Sequence, residues 1–298
     1  MAQRTLWLCR AGGLVLVACW IGALAQNPRA VAWDFPVFYT AGKLDPARLY
    51  QGDAQEREQR RLWETRLSGL REYGFVSFLR PPYYHVVLAP LARLSFWPAF
   101  FLWTTVQGGS LAAALAILGR RGRFDQAFYL LLPVCPYVTT ALTWGQDTAL
   151  VFLAVVVSFE LLRSHREAPA GVVLALALVK WNILLPVPLL LVLQRRWRFA
   201  GAFFLAAAVE LGVSAALVGR SGIHDYLAIL RSEHADYLSR GMPSVRGLLL
   251  VANPPNAAAV AGVGVAALAA IWILRKLPIA HSFAGAVGAS VALSYHTM

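Results

Sequence analysis

The sequence predicts an all-α protein built as one polytopic membrane domain over residues 1–298, and its composition is the first reason. Hydrophobic residues make up 58% of the chain, charged residues make up 14%, and the mean hydropathy is +0.57. Average soluble domains carry about 25% charged residues, so the composition argues against a soluble enzyme, a disordered chain or a secreted disulfide scaffold. We expect about seven to nine membrane helices, with short or re-entrant segments between them.

Apolar segments long enough for a bilayer recur along the chain, since a membrane helix needs about 20 apolar residues. The full-length candidates are approximately residues 6–25, 98–119, 126–143, 147–163, 199–219, 257–274 and 278–294. Two further stretches are ambiguous. Residues 84–95 are too short to cross comfortably. Residues 169–193 are interrupted by Lys180-Trp181-Asn182 and by two prolines, which favours a hairpin or re-entrant pair.

The net charge of +12 is carried by short basic clusters between apolar runs, which argues against a nucleic-acid partner. These clusters are residues 120–123, 163–166, 195–198 and 275–276. Lys and Arg are distributed in this way when they hold loops on the cytoplasmic face of a membrane. We therefore place the clusters on the side of the N-terminus. The opposite, external face then receives loops 26–83 and 220–256, the turn at 144–147, Lys180 and His296.

The first apolar segment has two interpretations. Arg4 and Arg10 precede an apolar core, and Ala23-Leu24-Ala25 resembles the cleavage site of a signal peptide. We favour an uncleaved anchor, because the long loop that follows needs tethering at the membrane.

Loop 26–83 is expected to carry a helix that lies at the membrane surface. Asp53 and Glu56 have the spacing of a capping box at a helix start. Trp63, Leu67 and Leu70 then recur at helical spacing, which predicts an amphipathic helix. A solvated helix that only closes the loop would show the same pattern.

Asp34 is the first acidic residue after the first predicted span, and aromatic residues follow it. A carboxylate at a helix end among aromatic rings loses part of its solvation, which makes it a better proton acceptor near neutral pH. An N-cap, or a surface aspartate at a membrane exit, would explain the same position.

Two cations stand where membrane proteins bind phosphate. Arg80 precedes two prolines where the chain returns to lipid, at headgroup level, although interfacial snorkelling would also explain it. Lys180 interrupts an apolar stretch, where a lysine is costly and is usually functional or paired. It could neutralise a phosphate as a point charge, or it could form a buried pair with Glu210.

The polar turn Gly145-Gln146-Asp147 separates two apolar helices. Gln146 has the donors to bind sugar hydroxyls, and Asp147 could pair with a cation, although an ordinary turn with a helix N-cap would explain both. We predict no metal site, because Cys9, Cys19 and Cys135 lie in or beside apolar segments, and no cofactor, because the chain lacks a Walker loop and a Gly-x-Gly-x-x-Gly fingerprint. Three histidines and an aspartate of the external face also lack ligand spacing; these are His224, His234, His296 and Asp236.

Several motifs together resemble glycosyltransferase family 87. Asp34-Phe35-x-x-Phe38-Tyr39-x-Ala41-Gly42, with Leu49-Tyr50, resembles the family's signature after its first helix. The later matches are Pro81-Pro82 with residues 88–92, Gly145-Gln146, Lys180 with the basic cluster 195–198, and Ser294-Tyr295-His296. The resemblance extends from about residue 1 to the C-terminus.

The sequence departs from the family pattern at four places. Arg80 replaces a tyrosine, Asp147 replaces an asparagine, Trp181-Asn182 replace Pro-Gln, and Tyr295 replaces a proline. The chain also ends shortly after His296, where relatives continue through more helices, so we expect a shortened or truncated member.

The resemblance implies a GT-C-type membrane enzyme that transfers a hexose, typically mannose, from a polyprenyl-phosphate donor to a lipid or glycan acceptor. It implies that Asp34 is the general base of an inverting transfer. Lys180, Arg80 and His296 are then the candidates for the donor phosphate. Tyr39, Gln146 and Asp147 are the candidates for the sugar or the acceptor. The partners are the lipid-linked donor and membrane lipids.

The implied location is the cell inner membrane, with the active site on the periplasmic or extracellular side. Two other functions stay open. One is a secondary transporter with a midplane site at Lys180 and Glu210, and the other is a degenerate, non-catalytic membrane protein.

Overall fold

The structure, a computed structural model, describes residues 18, 34–66, 75–120, 136–184, 186–231 and 256–293. Over these ranges every regular element is helical, as the sequence predicts. The chain divides into two compact units. Unit 1 contains the described residues of Met1–Phe78, Pro82–Val156 and Leu217–Gly222. Unit 2 contains those of Leu79–Pro81, Val157–Ala216 and Ile223–Met298.

Several predictions fall outside the described residues. They are the first span and its alternative as a signal peptide, Leu67 and Leu70 of the amphipathic pattern, the first part of span 126–143, and His296.

Unit 1 is built around a short helix that follows Asp34. Its helices are α1 (Phe35–Lys43), α2 (Gly52–Arg66), α3 (His85–Leu91), α4 (Phe96–Gly119), α5 (Pro136–Thr143) and the first part of α6 (Thr148–Arg163), with 3-10 turns at Pro46–Arg48 and Pro82–Tyr84. Helix α1 buries the aromatic residues of the Asp34 motif. The ring centroid of Phe35 lies 5.4 Å from that of Phe100 and 5.5 Å from that of Phe96. The core of unit 1 is therefore an aromatic cluster that fixes the start of α1.

Gly42 explains why this motif ends in a glycine. A Cβ atom at this position would lie 2.5 Å from the carbonyl oxygen of Leu88 and 2.9 Å from the Cβ of Ala92. Such distances are too short for any side chain, so Gly42 permits α1 to pack directly on the backbone of α3.

The helix expected in loop 26–83 is present as α2, but the prediction that Asp53 and Glu56 form its capping box is wrong. The helix begins at Gly52, before Asp53. Asp53 instead pairs with Arg57 at 2.6 Å, and Glu56 pairs with Arg60 at 2.8 Å. Both acids lie inside the first turns, where carboxylates are stabilised by the helix dipole and by cations four residues later.

Unit 2 contains the interrupted stretch that the sequence predicts. After the second part of α6 come α7 (Glu167–Ala175), a 3-10 turn (Leu176–Lys180), α8 (Trp181–Leu184), α9 (Pro186–Leu193), α10 (Trp197–Arg231, without its residues Leu217–Gly222), α11 (Asn256–Leu274) and α12 (Ile279–Leu293). The α-helical geometry is broken before Lys180, and a new helix begins at Pro186, where a proline is tolerated in the first turn. Residues 84–95 likewise form only the seven-residue α3, as their length predicts.

Within the described ranges, two helices are long and apolar enough to cross a membrane, namely α4 and the segment Trp197–Leu230 of α10. Only 22% and 17% of their most apolar windows are buried, whereas the core helix of a soluble protein would be mostly buried. Large apolar side chains therefore point outward, among them Leu102 of α4 and Leu205 of α10. An outward apolar surface of this kind fits a helix surrounded by lipid.

The predicted end of span 199–219 coincides with a break, but the loop expected after it is wrong for residues 220–231. Gly219 has φ 68° and ψ −176°, which interrupts helical geometry inside α10. Helix then resumes and continues to Arg231. The polar residues after Gly219, including His224 and Asp225, concealed this second helical segment from the hydropathy pattern.

Candidate functional site

The start of α1 is bound to the turn between α5 and α6. The backbone amides of Asp34 and Phe35 both donate to the carbonyl oxygen of Trp144, at 3.0 Å each. Asp34 and Phe35 are thereby fixed beside a turn that lies about 110 positions later in the sequence. The backbone contacts place the Asp34 motif next to the Gly145-Gln146-Asp147 turn, two features that the sequence singled out separately.

The side chains of Asp34 and Gln146 are joined directly. Gln146 donates from Nε2 to Oδ2 of Asp34 at 2.7 Å, and its Oε1 accepts from the hydroxyl of Thr148 at 3.2 Å. An amide that accepts on its oxygen and donates from its nitrogen has a defined orientation. Thr148 thus orients Gln146, and Gln146 in turn holds the carboxylate.

The carboxylate of Asp34 does not cap its own helix. Asp34 occupies the N-cap position of α1, yet its side chain makes no capping hydrogen bond. A structural N-cap would normally accept from a backbone amide two or three residues later. Asp34 is half-buried, so its carboxyl group combines a fixed position with partial access to its surroundings.

The turn that presents Gln146 is held by its own geometry and by Trp103. Gly145 has φ +75°, and a Cβ there would lie 2.8 Å from the Cβ of Phe35, so this position requires glycine. The indole of Trp103 donates to the carbonyl oxygen of Gly145 at 2.7 Å. Trp103 is buried in the aromatic cluster, and its hydrogen bond therefore holds the turn against the core of unit 1.

Two other predicted residues of unit 1 are buried. Asp147 is fully buried and has interaction partners. Tyr39 is 4% exposed, and its hydroxyl donates to the carbonyl oxygen of Leu94 at 2.8 Å. Both side chains thus belong to the packed interior of unit 1, and a role in binding sugar or acceptor stays a prediction for each.

Unit 2 contains two of the predicted phosphate ligands. Lys180 is 3% exposed, at the end of the 3-10 turn, and it has an interaction partner. Trp181 follows it directly and donates a hydrogen bond to the hydroxyl of Tyr226, which lies within electrostatic range of Arg80. Tyr226 therefore places Arg80 near the segment that carries Lys180. No motif in the sequence marks Tyr226, because the polar residues 220–231 resemble a loop.

The expected pair of Lys180 and Glu210 is not supported. Both carboxylate oxygens of Glu210 are buried without a hydrogen-bond partner in the part of the chain that the structure describes. The purely structural explanation of Lys180, a buried pair with Glu210, is therefore not supported, and the transporter alternative stays untested. His296, the third phosphate candidate, lies outside the described residues. Within those residues, no group of three His, Cys, Asp or Glu side chains could hold a metal ion, and the lack of a metal requirement stays a prediction.

Comparison with protein families agrees with the motifs that surround this site. The family described as glycosyltransferase family 87 matches residues 78–295. The chain belongs to glycosyltransferase family 87. Neither a curated protein nor a solved structure matches the chain.

The match confirms the family resemblance that the motifs indicate. Membership of family 87 identifies the chain as a membrane glycosyltransferase. The matched range contains Arg80, Lys180 and the turn with Gln146, but it begins after Asp34. The place of Asp34 in the site is therefore carried by its contacts with Trp144 and Gln146, both of which lie inside the matched range.

Proposed function

We propose that this chain is an integral membrane hexosyltransferase that moves a sugar, with mannose as the first candidate, from a polyprenyl-phosphate donor to a hydroxyl acceptor. The observation that carries the proposal is the carboxylate of Asp34. This carboxylate accepts a hydrogen bond from Gln146 at 2.7 Å and makes no capping hydrogen bond to its own helix. A fixed, partly accessible carboxylate beside a glutamine is suited to general-base chemistry on a hydroxyl group.

The proposed step transfers one proton and exchanges one C–O bond. The acceptor hydroxyl gives its proton to the carboxylate of Asp34, and its oxygen attacks the anomeric carbon of the donor sugar. The bond between that carbon and the phosphate oxygen breaks, and polyprenyl phosphate leaves with the electron pair. Attack opposite the leaving group inverts the configuration at the anomeric carbon.

Fixed positive charge favours this departure, because negative charge develops on the phosphate in the transition state. Lys180 and Arg80 are the candidates in the described part of unit 2, and His296 is a third candidate from the sequence. The phosphate leaves as an ionised group, so the proposed step requires no metal. Gln146 is the candidate for positioning the acceptor, with Asp147 and Tyr39 as further candidates.

The proposed setting is the cell inner membrane, with the reaction on its periplasmic or extracellular side. The placement of basic clusters in the sequence supports this orientation. The acceptor is proposed to be a lipid or a glycan, since both present hydroxyl groups at such a surface.

The experiment that tests the function uses the purified protein in proteoliposomes with a radiolabelled polyprenyl-phosphate hexose and a mixed glycan acceptor. We expect sugar transfer with inversion, and no transfer from a soluble nucleotide sugar. Arg80→Gln should lower turnover by about 10²-fold, whereas Arg93→Gln, at an exposed position, should not. Transfer from the nucleotide sugar alone would overturn the assignment of the donor.

A further inference from the structure

Three turns that carry basic residues meet at one end of unit 2. Glu167, at the start of α7, pairs with Arg196 at 2.8 Å. Gln194, in the turn before α10, donates to the carbonyl oxygen of Arg275 at 3.3 Å and to the hydroxyl of Ser282 at 3.0 Å. The turns at residues 164–166, 194–196 and 275–278 are therefore joined side by side. We call this end of unit 2 the basic face.

The basic face carries more positive charge than its acids neutralise. Arg166, Arg195, Arg198 and Lys276 are exposed, and none of them forms an ion pair with another described residue. The two acids found nearby in the part of the chain that the structure describes are already engaged, since Glu167 pairs with Arg196 and Glu160 lies 3.8 Å from Arg163.

The dipole of α10 adds to this charge. Arg195 and Arg198 flank the N-terminus of α10, whose first turn contains no acidic residue. Because a helix N-terminus is itself positive, basic residues there destabilise the helix unless an anion is nearby. The excess of positive charge thus points to an anionic ligand.

Two of the three turns share an unusual backbone. His165 and Arg195 end their helices with φ 60° and 59°, in the left-handed region that glycine adopts at least cost. The amide of Arg195 donates to the carbonyl of Val192, and that of Arg196 to the carbonyl of Leu191, which is the Schellman pattern of a helix end. Glycine would make the same turn, so the turn itself does not require the arginine at position 195.

Two exposed tryptophans adjoin the cations. Trp197, the first residue of α10, is 64% exposed, and Trp272, in the last turn of α11, is 58% exposed. Tryptophan favours the boundary between headgroups and lipid chains. Beyond the basic face, α10 and α11 present apolar side chains outward, including Leu205 and Leu268. Each of these two helices therefore carries an exposed tryptophan beside the basic face and exposed apolar side chains further along its length.

We propose that the basic face binds the phosphate headgroups of anionic phospholipids, with the acyl chains lying along α10 and α11. Arginine forks bind phosphate oxygens in pairs, and each basic residue at a membrane surface raises affinity for anionic lipid about fivefold. This binding site is separate from the sugar-transfer chemistry, and it would stand if the proposed enzymatic function were wrong.

The test compares Arg195→Gly with His165→Gly in the full chain in detergent. Both substitutions place glycine at a left-handed position, but only the first removes an arginine of the basic face. Binding of phosphatidylglycerol and phosphatidylcholine would be measured by native mass spectrometry. We expect a preference for phosphatidylglycerol that falls about fivefold in Arg195→Gly and is kept in His165→Gly.

A variant that removes the three cations Arg195, Arg198 and Lys276 by substitution with glutamine should lose the preference by on the order of 100-fold. Equal retention of the two lipids by the unaltered chain would overturn the proposal. An unchanged preference in the triple variant would place the lipid elsewhere and overturn it too. Binding of inorganic phosphate as strong as that of phosphatidylglycerol would also overturn it, since that result would indicate a general anion site.

Discussion

Gln146 donates a hydrogen bond to the carboxylate of Asp34, 112 positions earlier in the chain, at 2.7 Å. This contact joins the residue after the first predicted span to the turn between two apolar helices. It brings together a carboxylate and an amide that the sequence placed in separate motifs.

Replacing Gln146 by glutamate should alter the pH dependence of sugar transfer. Two carboxylates at hydrogen-bond distance disfavour each other's ionisation, so a base at Asp34 would lose its proton only at higher pH. We expect lower turnover and an acidic limb of the pH–rate profile that moves upward. The profile of Thr148→Val, which removes the hydroxyl that donates to Gln146, should keep its acidic limb in place. An identical limb in Gln146→Glu would argue that Asp34 is not the titrating base.

Trp103→Phe should weaken the turn without emptying the core. The substitution removes the indole donor to the carbonyl oxygen of Gly145, which contributes about 1 kcal/mol to stability, and it keeps an aromatic ring. We expect a modest loss of thermal stability and a larger loss of turnover, because Gln146 follows Gly145 directly. Trp97→Phe, in the same helix, is the matched control and should lower turnover less. Equal effects of the two variants would contradict the role given to Trp103.

Gly42→Ala should destabilise unit 1 by about 1–3 kcal/mol, because the new Cβ would meet the carbonyl oxygen of Leu88 at 2.5 Å. Gly108→Ala is the control, since a Cβ there meets no atom within 4 Å, and its effect should stay below about 1 kcal/mol. Unfolding in detergent, followed by circular dichroism, measures both. A Gly42→Ala variant as stable as the unaltered chain would show that α1 and α3 do not pack as described.

His85 should make stability depend on pH. Burial lowers the pKa of His85 below its ordinary value of 6.5, despite the contact of Nδ1 with the carbonyl oxygen of Ala41 at 3.2 Å. The unfolded chain then binds a proton more readily than the folded one, so stability is complete above about pH 6.5 and falls as pH decreases through that value.

The measurement for His85 is the melting temperature between pH 7.5 and pH 5. We expect the unaltered chain to lose stability over this range and His85→Gln to lose less of it. Parallel curves for the two proteins would assign the pH dependence to other groups.

The fold class and most helix positions follow from the sequence because hydropathy reports directly on lipid-facing helices. The break around Lys180 was foreseen since a charge and two prolines interrupt the apolar run. The second segment of α10 was missed, because its polar residues resemble a loop and its packing partners are distant in sequence. The capping box at Asp53 failed because both of its acids pair with arginines one turn later.

The sequence indicates which residues are candidates for the site, but it does not indicate which of them are in contact. Asp34 and Gln146 were each singled out, yet only the fold brings them into contact. The expected contact of Lys180 with Glu210 was inferred from charge alone, and charge does not fix which helix faces meet. Tyr226 had no motif, and its hydrogen bond with Trp181 and its electrostatic interaction with Arg80 arise only from tertiary packing.

The most direct test is the rate of sugar transfer from a polyprenyl-phosphate donor by Asp34→Asn, compared with Asp45→Asn. Asparagine keeps an oxygen to accept from Gln146, so the fold should persist. Asp45 caps a 3-10 turn by accepting from the amide of Ala47, and its substitution controls for the loss of an acid. The account expects Asp34→Asn to lose turnover by 10²-fold or more, on the order expected for a general base, while Asp45→Asn keeps it. Turnover by Asp34→Asn at the rate of the unaltered chain would contradict it.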